Sequence, residues 1–158
     1  MTEEQRWAGR VWLFPATYAV HIAEEYFGGE GFAAWASQRT ELHFAPPMFL
    51  AINAVAMAAM LAVSWVAASR PAFSWLVTTL GTVVALNGTL HVVTSVVTRS
   101  YSPGAVSGLL LWIPLGAWAL VRSRRWLELK VFVAAVLLGV LAHGTVTGVA
   151  VSASRGAP

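Results

Sequence analysis

The 158-residue chain contains no cysteine and no aspartate. Without cysteine there is no disulfide, no thiolate nucleophile and no thiolate metal ligand. Charge is scarce as well. Only 11% of the residues are charged, against roughly 25% in a typical soluble domain. Lysine occurs once, at Lys130, and the nine arginines are spread through short segments between apolar runs. Such a distribution offers no extended basic surface for nucleic acid and fits topology signals instead. No internal repeat and no compositional break marks a second domain.

What is present is hydrophobic. Apolar residues make up 58% of the chain and the mean hydropathy is +0.67. This predicts an all-α integral membrane protein, with residues 1–158 forming a single transmembrane domain. The apolar runs predict a bundle of about five spans, near residues 7–27, 47–68, 71–98, 103–121 and 127–151. Each is about 20 residues or more, enough for a hydrocarbon core of about 30 Å. The N-terminus is acidic and lacks a cleavage-site pattern, so the first segment is expected to be retained.

Local signals refine these boundaries. Thr2 to Gln5 has a capping-box pattern, which places a helix start near Glu3. Pro15 should bend that helix, and Gly28-Gly29 should end it. Residues 28–46 form the one extended polar stretch. It is expected to be an interfacial loop or short amphipathic helix, with Trp35 and Phe44 near the headgroups. Ser102 as N-cap and Pro103 at the first helical position should start the fourth span. Ser152 to Pro158 reads as a short mobile tail.

With five spans, Arg6, Arg10, Arg70, Arg122, Arg124, Arg125 and Lys130 share one side. Arg39, Arg99 and Arg155 share the other. Basic residues favour the cytoplasmic side, which predicts a cytoplasmic-membrane protein with the N-terminus inside and the C-terminus outside.

Against this background a few polar residues stand out, because ionisable groups inside a membrane are costly and usually functional. His21, Glu24 and Glu25 lie at i, i+3 and i+4, on one face of a helix, and Thr17 extends the stripe. Asn87 and His91 are i,i+4 neighbours, followed by Thr94 and Ser95. His143 and Thr147 form a third stripe, beside a ridge of Gly144, Gly148 and Ser152 that would permit close helix approach. The predicted topology brings these stripes, and the loop carrying Tyr101, to one depth in the outer half of the bilayer. They are expected to converge on a polar interior cavity. His43 and Glu41, in the polar stretch, are expected at the surface. The eight tryptophans are expected to serve as packing and interface anchors.

Three short motifs occur in order: His21-Ile22-Ala23-Glu24-Glu25, Asn87-Gly88-Thr89-Leu90-His91 and Tyr101-Ser102-Pro103-Gly104. With HxxEE, NxxxH and YxPG in this order the chain resembles the HXXEE-motif family of small prokaryotic membrane proteins, which has no assigned function. The resemblance implies that His21, Glu24, Glu25, Asn87, His91 and Tyr101 are the functional set. His143 rests on its depth alone.

Imidazole and carboxylate together suit Zn, Fe or Mn. Candidate metal ligands are His21, Glu24, Glu25, His91 and His143. Glu24, Glu25, Asn87 and Tyr101 are candidate catalytic groups, with Asn87 and Tyr101 orienting substrate or stabilising developing charge. Ionised Glu24 and Glu25 would together balance one divalent ion. Di-iron bundles of the ferritin type use four carboxylates, so one metal is favoured and a bridged pair stays open, with Glu41 as the further carboxylate it would draw on. The expected substrate is a lipid-like or hydrophobic small molecule. Two other readings use the same residues. One is a metal-free acid/base isomerase or cyclase of a lipid, similar in architecture and residue type to the small five-span sterol isomerases of the emopamil-binding type. The other is a proton or cation relay in a transporter or sensor.

Overall fold

The computed structural model describes residues 10–40 and 43–155. Among these residues all regular structure is helical. Helix α1 spans Leu13–Phe27, α2 Phe32–Arg39 and α3 Pro46–Ser69. Helix α4 covers Leu76–Thr98, preceded by a 3-10 turn at Pro71–Phe73. Helix α5 runs over Ala105–Ser123 and contains a π turn at Gly108–Trp112, and α6 spans Leu129–Arg155. Four segments are long and apolar enough to cross a membrane: Pro46–Ser69, Pro71–Thr98, Ala105–Ser123 and Leu129–Arg155. Helix α1 has 15 residues, about 22 Å at 1.5 Å per residue, and is shorter than a span by itself. The capping box at Thr2 lies outside the described residues, as does Glu41.

Pro15 acts differently from the expected bend. The helix is interrupted at Val11–Trp12, and regular helix resumes at Leu13. Proline cannot donate to the carbonyl four residues earlier and its ring crowds that group. For Pro15 the carbonyl belongs to Val11, which accepts from Phe14 N–H instead, at 3.2 Å. At the other end the expectation holds. Gly28 caps α1 by donating to Glu24 O at 2.7 Å, and Gly29 takes a φ of +58°.

Helix α4 lies at the centre. Its buried face carries Val77, Leu80 and Val84, which pack with Val11, Phe14 and Tyr18, with Met60 of α3, and with Trp112 and Ala119 of α5. Surrounding lipid gives helices little hydrophobic reason to associate, so close packing and interhelical hydrogen bonds must hold them together. Glycine permits this between α4 and α5. A Cβ on Gly88 would lie 2.9 Å from Gly108 O, and one on Gly116 would lie 2.6 Å from Gly81 O. Helix α6 meets α4 at Gly139, where a Cβ would come within 2.6 Å of Thr82 Cβ. Beside that contact Thr79 Oγ1 donates to Ala135 O at 3.0 Å.

Two expectations about α6 need correcting. Gly144 and Gly148 have nothing within 4 Å of a built Cβ, so the close-approach surface is Ala135 and Gly139 instead. The residues from Ser152 are also not a free tail up to Arg155. They continue the helix, and Ser154 is fully buried, its carbonyl accepting the His43 N–H at 3.3 Å. Helix α6 is thus fastened towards both ends and open between them.

This packing predicts an asymmetry among the glycines. Gly88→Val should cost about 1–3 kcal/mol or more through overpacking against backbone. Gly144→Val, in open space, should change little. Thermal unfolding in detergent, read by loss of native fluorescence, compares the two.

Candidate metal centre

Helix α1 presents His21 and Glu25 one turn apart, and α4 presents Asn87 and His91 one turn apart. The close α4–α5 approach then sets the loop Tyr101–Gly104 and Ser107 against both imidazoles. The result is a buried cluster of His21, Glu25 and His91, with relative exposures of 0%, 6% and 4%. Glu25 Oε1 is 3.1 Å from His91 Nε2 and 3.8 Å from His21 Nε2. One ligand atom from each of the three lies within 4.8 Å of the others. Around a tetrahedral metal with bonds near 2.1 Å, donors stand about 3.4 Å apart. Glu25 and His91 would part by about 0.3 Å and the wider pairs would close by at most about 1.4 Å to bring these donors onto one ion.

The far sides of both rings are engaged. His21 Nδ1 is 2.7 Å from Ser107 Oγ, and His91 Nδ1 is 3.2 Å from Ser102 Oγ. Hydroxyls at Nδ1 fix ring orientation and leave both Nε2 atoms turned towards Glu25, as outer partners of metal-binding histidines do. Ser102 thereby serves His91 through its side chain and does not cap α5, correcting the expected helix start. Pro103 likewise lies in the preceding turn, and α5 begins at Ala105 behind Gly104. His21 also faces Asn87 Oδ1 at 3.1 Å through Nε2. With that oxygen as acceptor, His21 Nε2 donates and Nδ1 accepts from Ser107. Turning the amide over makes Asn87 the donor and Nε2 the acceptor, with Nδ1–H donating to Ser107 Oγ, so a metal would displace the Asn87 amide to take the Nε2 lone pair.

Gly104 closes the site from one side. Its φ is +98°, and a Cβ there would lie 3.0 Å from both imidazole Cε1 atoms. The motif requires glycine here for backbone conformation and for space alike. Behind His21 the Trp112 indole stacks at 3.7 Å between ring centroids. Its position follows from the π turn at Gly108–Trp112, a local distortion often found at functional sites.

Glu24 does something else. Its carboxylate accepts from Tyr101 Oη at 2.6 Å, Val106 N–H at 2.9 Å and Ser107 N–H at 2.6 Å. It therefore caps α5 from a neighbouring helix, satisfying backbone donors that a helix start leaves unpaired. Tyr101 accordingly lies on Glu24 and not on the His/Glu cluster. Its phenol is pushed up to about 12, first by burial and then by the Glu24 hydrogen bond and charge. This contact contributes stability in full below about pH 10, the ordinary tyrosine value. The contribution is lost as the pH rises through about 12.

His143 stands apart from the three-residue cluster. It lies within electrostatic reach of His91, and its Nε2 is buried without a hydrogen-bond partner. His43 has an exposed side chain, as expected. Thr17 Oγ1 bonds to Leu13 O and Phe14 O of its own helix, and Ser95 Oγ accepts Ser102 N–H. Neither residue joins the cluster.

A cavity of about 270 Å³ opens beside the cluster. His21, Glu25, Asn87 and His91 form its polar end, and Phe32, Trp35, Phe44, Phe49, Ile52 and Val151 are among its apolar walls. Trp35 belongs to this wall. It is buried, with its indole N–H on Ser100 Oγ at 3.2 Å, rather than exposed at an interface. Helix α2 therefore covers the cavity. Tyr18 Oη donates to Asn53 Oδ1 at 2.8 Å along another wall. Ser102 and Gly104 were read only as parts of a helix start and the YxPG motif, and Ser107, Trp112, Tyr18 and Phe32 were not singled out as site residues by sequence. Asn53 stands out in the sequence as the one amide side chain inside the second apolar run.

The fold and the site define an all-helical protein of integral-membrane type with a buried His/Glu cluster able to hold a metal ion. The chain belongs to the HXXEE family: residues 12–119 match the family described as "Protein of unknown function with HXXEE motif". No curated protein and no solved structure matches it.

The division between Glu24 and Glu25 is testable. Glu24→Gln should cost about 1–3 kcal/mol by weakening charge-assisted bonds to α5. The environment of His21 and His91 should survive, as read from their imidazole resonances by NMR.

Proposed function

We propose that the protein is a membrane-embedded enzyme with one divalent metal ion, acting on a lipid-like or hydrophobic small molecule. The observation that carries this is the triad of His21, His91 and Glu25, each buried, with one ligand atom of each within 4.8 Å of the others beside an apolar cavity. Two imidazoles and one carboxylate form a ligand set common to catalytic zinc and non-haem iron, with coordination positions left for substrate or water. A second metal would need further carboxylates, and Glu24 is committed to α5. A bound ion would act as a Lewis acid towards a polar group of the substrate. Ser102 and Ser107 would hold the imidazoles, and Asn87 would orient a substrate oxygen from the cavity wall. Tyr101 acts indirectly by steadying Glu24.

A second reading draws on the 3.1 Å approach of Glu25 to His91. Such a buried carboxyl–imidazole pair can pass a proton within a lipid-lined cavity without metal, as an isomerase or cyclase requires. The relay reading has less support, because the polar groups gather at one place instead of forming a path.

In the membrane, α1 belongs to a fifth span. The N-terminus and the basic segment Arg122 to Lys130 lie in the cytoplasm, which puts the His/Glu cluster in the outer half of the bilayer. Since the chain has no cysteine, a single Arg124→Cys variant tests this cleanly. Labelling of that thiol by an impermeant reagent from outside intact cells would reverse the orientation.

Elemental analysis after chelator-free purification tests the metal. About one Zn, Fe or Mn per chain is expected, lost in His21→Ala, Glu25→Ala and His91→Ala and kept in Glu24→Gln. A metal-free wild-type protein would transfer the argument to the Glu25–His91 proton pair.

A further inference from the structure

The cavity beside the cluster limits what the site can accept. Its volume of about 270 Å³ equals that of roughly nine liquid water molecules. A diacyl lipid has two chains and a headgroup and far exceeds that, whereas one short chain segment fits. Phe32, Phe49 and Ile52 offer such a segment no polar partner; on another wall Tyr18 and Asn53 are paired with each other, while His21, Glu25 and His91 lie together. One flank opens at the molecular surface. Leu90 and Val146 line the cavity yet are 49% and 44% exposed. Nearby on α6, a Cβ built on Gly144 or Gly148 would have nothing within 4 Å.

Charge sets the head group. A metal ligand must be deprotonated, so Glu25 brings one negative charge and the two imidazoles bring none. Glu24 cannot supply a second, because its oxygens are taken by Tyr101, Val106 and Ser107. No basic or other acidic residue lines the cavity among the described residues. A divalent ion on this triad is left with one uncompensated positive charge in a medium where such charge is costly. A monoanion balances it. A phosphate monoester carries between one and two negative charges at neutral pH, whereas a carboxylate carries one.

We infer that the site takes a single-chain amphipath with a carboxylate head, the head at the His21–Glu25–His91 triad and the first several chain carbons along the Phe49–Ile52 wall. This rests on the metal reading above and specifies its substrate class.

Bromine quenching of Trp35 tests it. The full-length protein in nanodiscs is titrated with 8-bromooctanoate and with 8-bromooctan-1-ol. The Trp35→Phe variant is titrated in parallel, so that the difference reports the cavity wall. Saturable quenching by the carboxylate is expected, with the alcohol about tenfold weaker or worse. Ile52→Phe and Ala150→Phe fill the cavity from two different helices without adding a fluorescent tryptophan. Each should weaken the carboxylate signal by about tenfold or more while metal content stays at the wild-type level. Non-saturable quenching, or quenching unchanged in both filled variants, would overturn the proposal. Equal binding of acid and alcohol by metal-loaded protein would overturn it and leave the metal reading standing. Metal-free wild-type protein with no preference between the probes would overturn both.

Discussion

The structure depends on one carboxyl group held between two imidazoles in an apolar bundle. Burying a polar or ionisable group without partners costs several kcal/mol in an environment that excludes water. Glu25 avoids that cost only if α1 and α4 meet with His21 and His91 in register. That requirement propagates. His91 must reach towards α1, so α4 takes the central position. The imidazoles need partners at Nδ1, so the Tyr101–Ser107 segment must press against them. For that segment to approach, Gly104 must adopt φ +98° and Gly108 must sit against Gly88. The sequence motifs are the local statements of this one arrangement.

The paired glutamates of HxxEE illustrate how a helix divides roles. Glu25 is i+4 from His21 and shares its ridge, which brings the two side chains within 3.8 Å. Glu24 is i+3, about 100° round the helix from Glu25. That rotation takes it to the neighbouring α5 backbone, where it meets the N–H groups of Val106 and Ser107. Two adjacent residues of one chemical type thus do two jobs. One faces the centre, and the other secures the helix that supports it. Tyr101 belongs with the second. Its hydrogen bond to Glu24 ties the loop before α5 to α1, so the YxPG and HxxEE motifs are joined mechanically as well as spatially.

Much of this was legible in the sequence. Apolar runs located the four long helices to within a few residues, because length and hydropathy suffice for that. The spacing of His21 to Glu25 and of Asn87 to His91 put these polar residues on two helix faces, and their rarity in apolar surroundings marked them. Spacing alone could not separate Glu24 from Glu25, since both i+3 and i+4 lie near the His21 ridge. Only the position of α5 decides between them. Ser102 and Ser107 stayed hidden for a different reason. Serine is common and inexpensive in helical membrane proteins, and nothing local marks one that faces an imidazole. Pro15 misled because the run from Glu3 to Phe27 looks continuous, although the ring acts on the carbonyl of Val11, one turn earlier. The glycine ridge at Gly144 and Gly148 has the spacing of a packing surface, yet α6 already meets α4 at Gly139.

The site has two sides of different character. Its rear wall is made by α5 and the loop before it: Ser102, Gly104, Ser107 and Trp112 fix both imidazoles through hydrogen bonds, close contact and stacking. Its front is the cavity, walled by α2, α3 and α6. The family match covers residues 12–119, which includes His21, Glu25, Asn87, His91 and the whole rear wall. The α6 residues Val146, Thr147, Ala150 and Val151 line the front and fall outside that match. They make few demands on the rest of the fold, since α6 is fastened at Ala135 and Ser154 and loose between. Side chains there can change size without disturbing the imidazoles. The arrangement separates a rear wall that fixes both imidazoles from a front wall that can be reshaped.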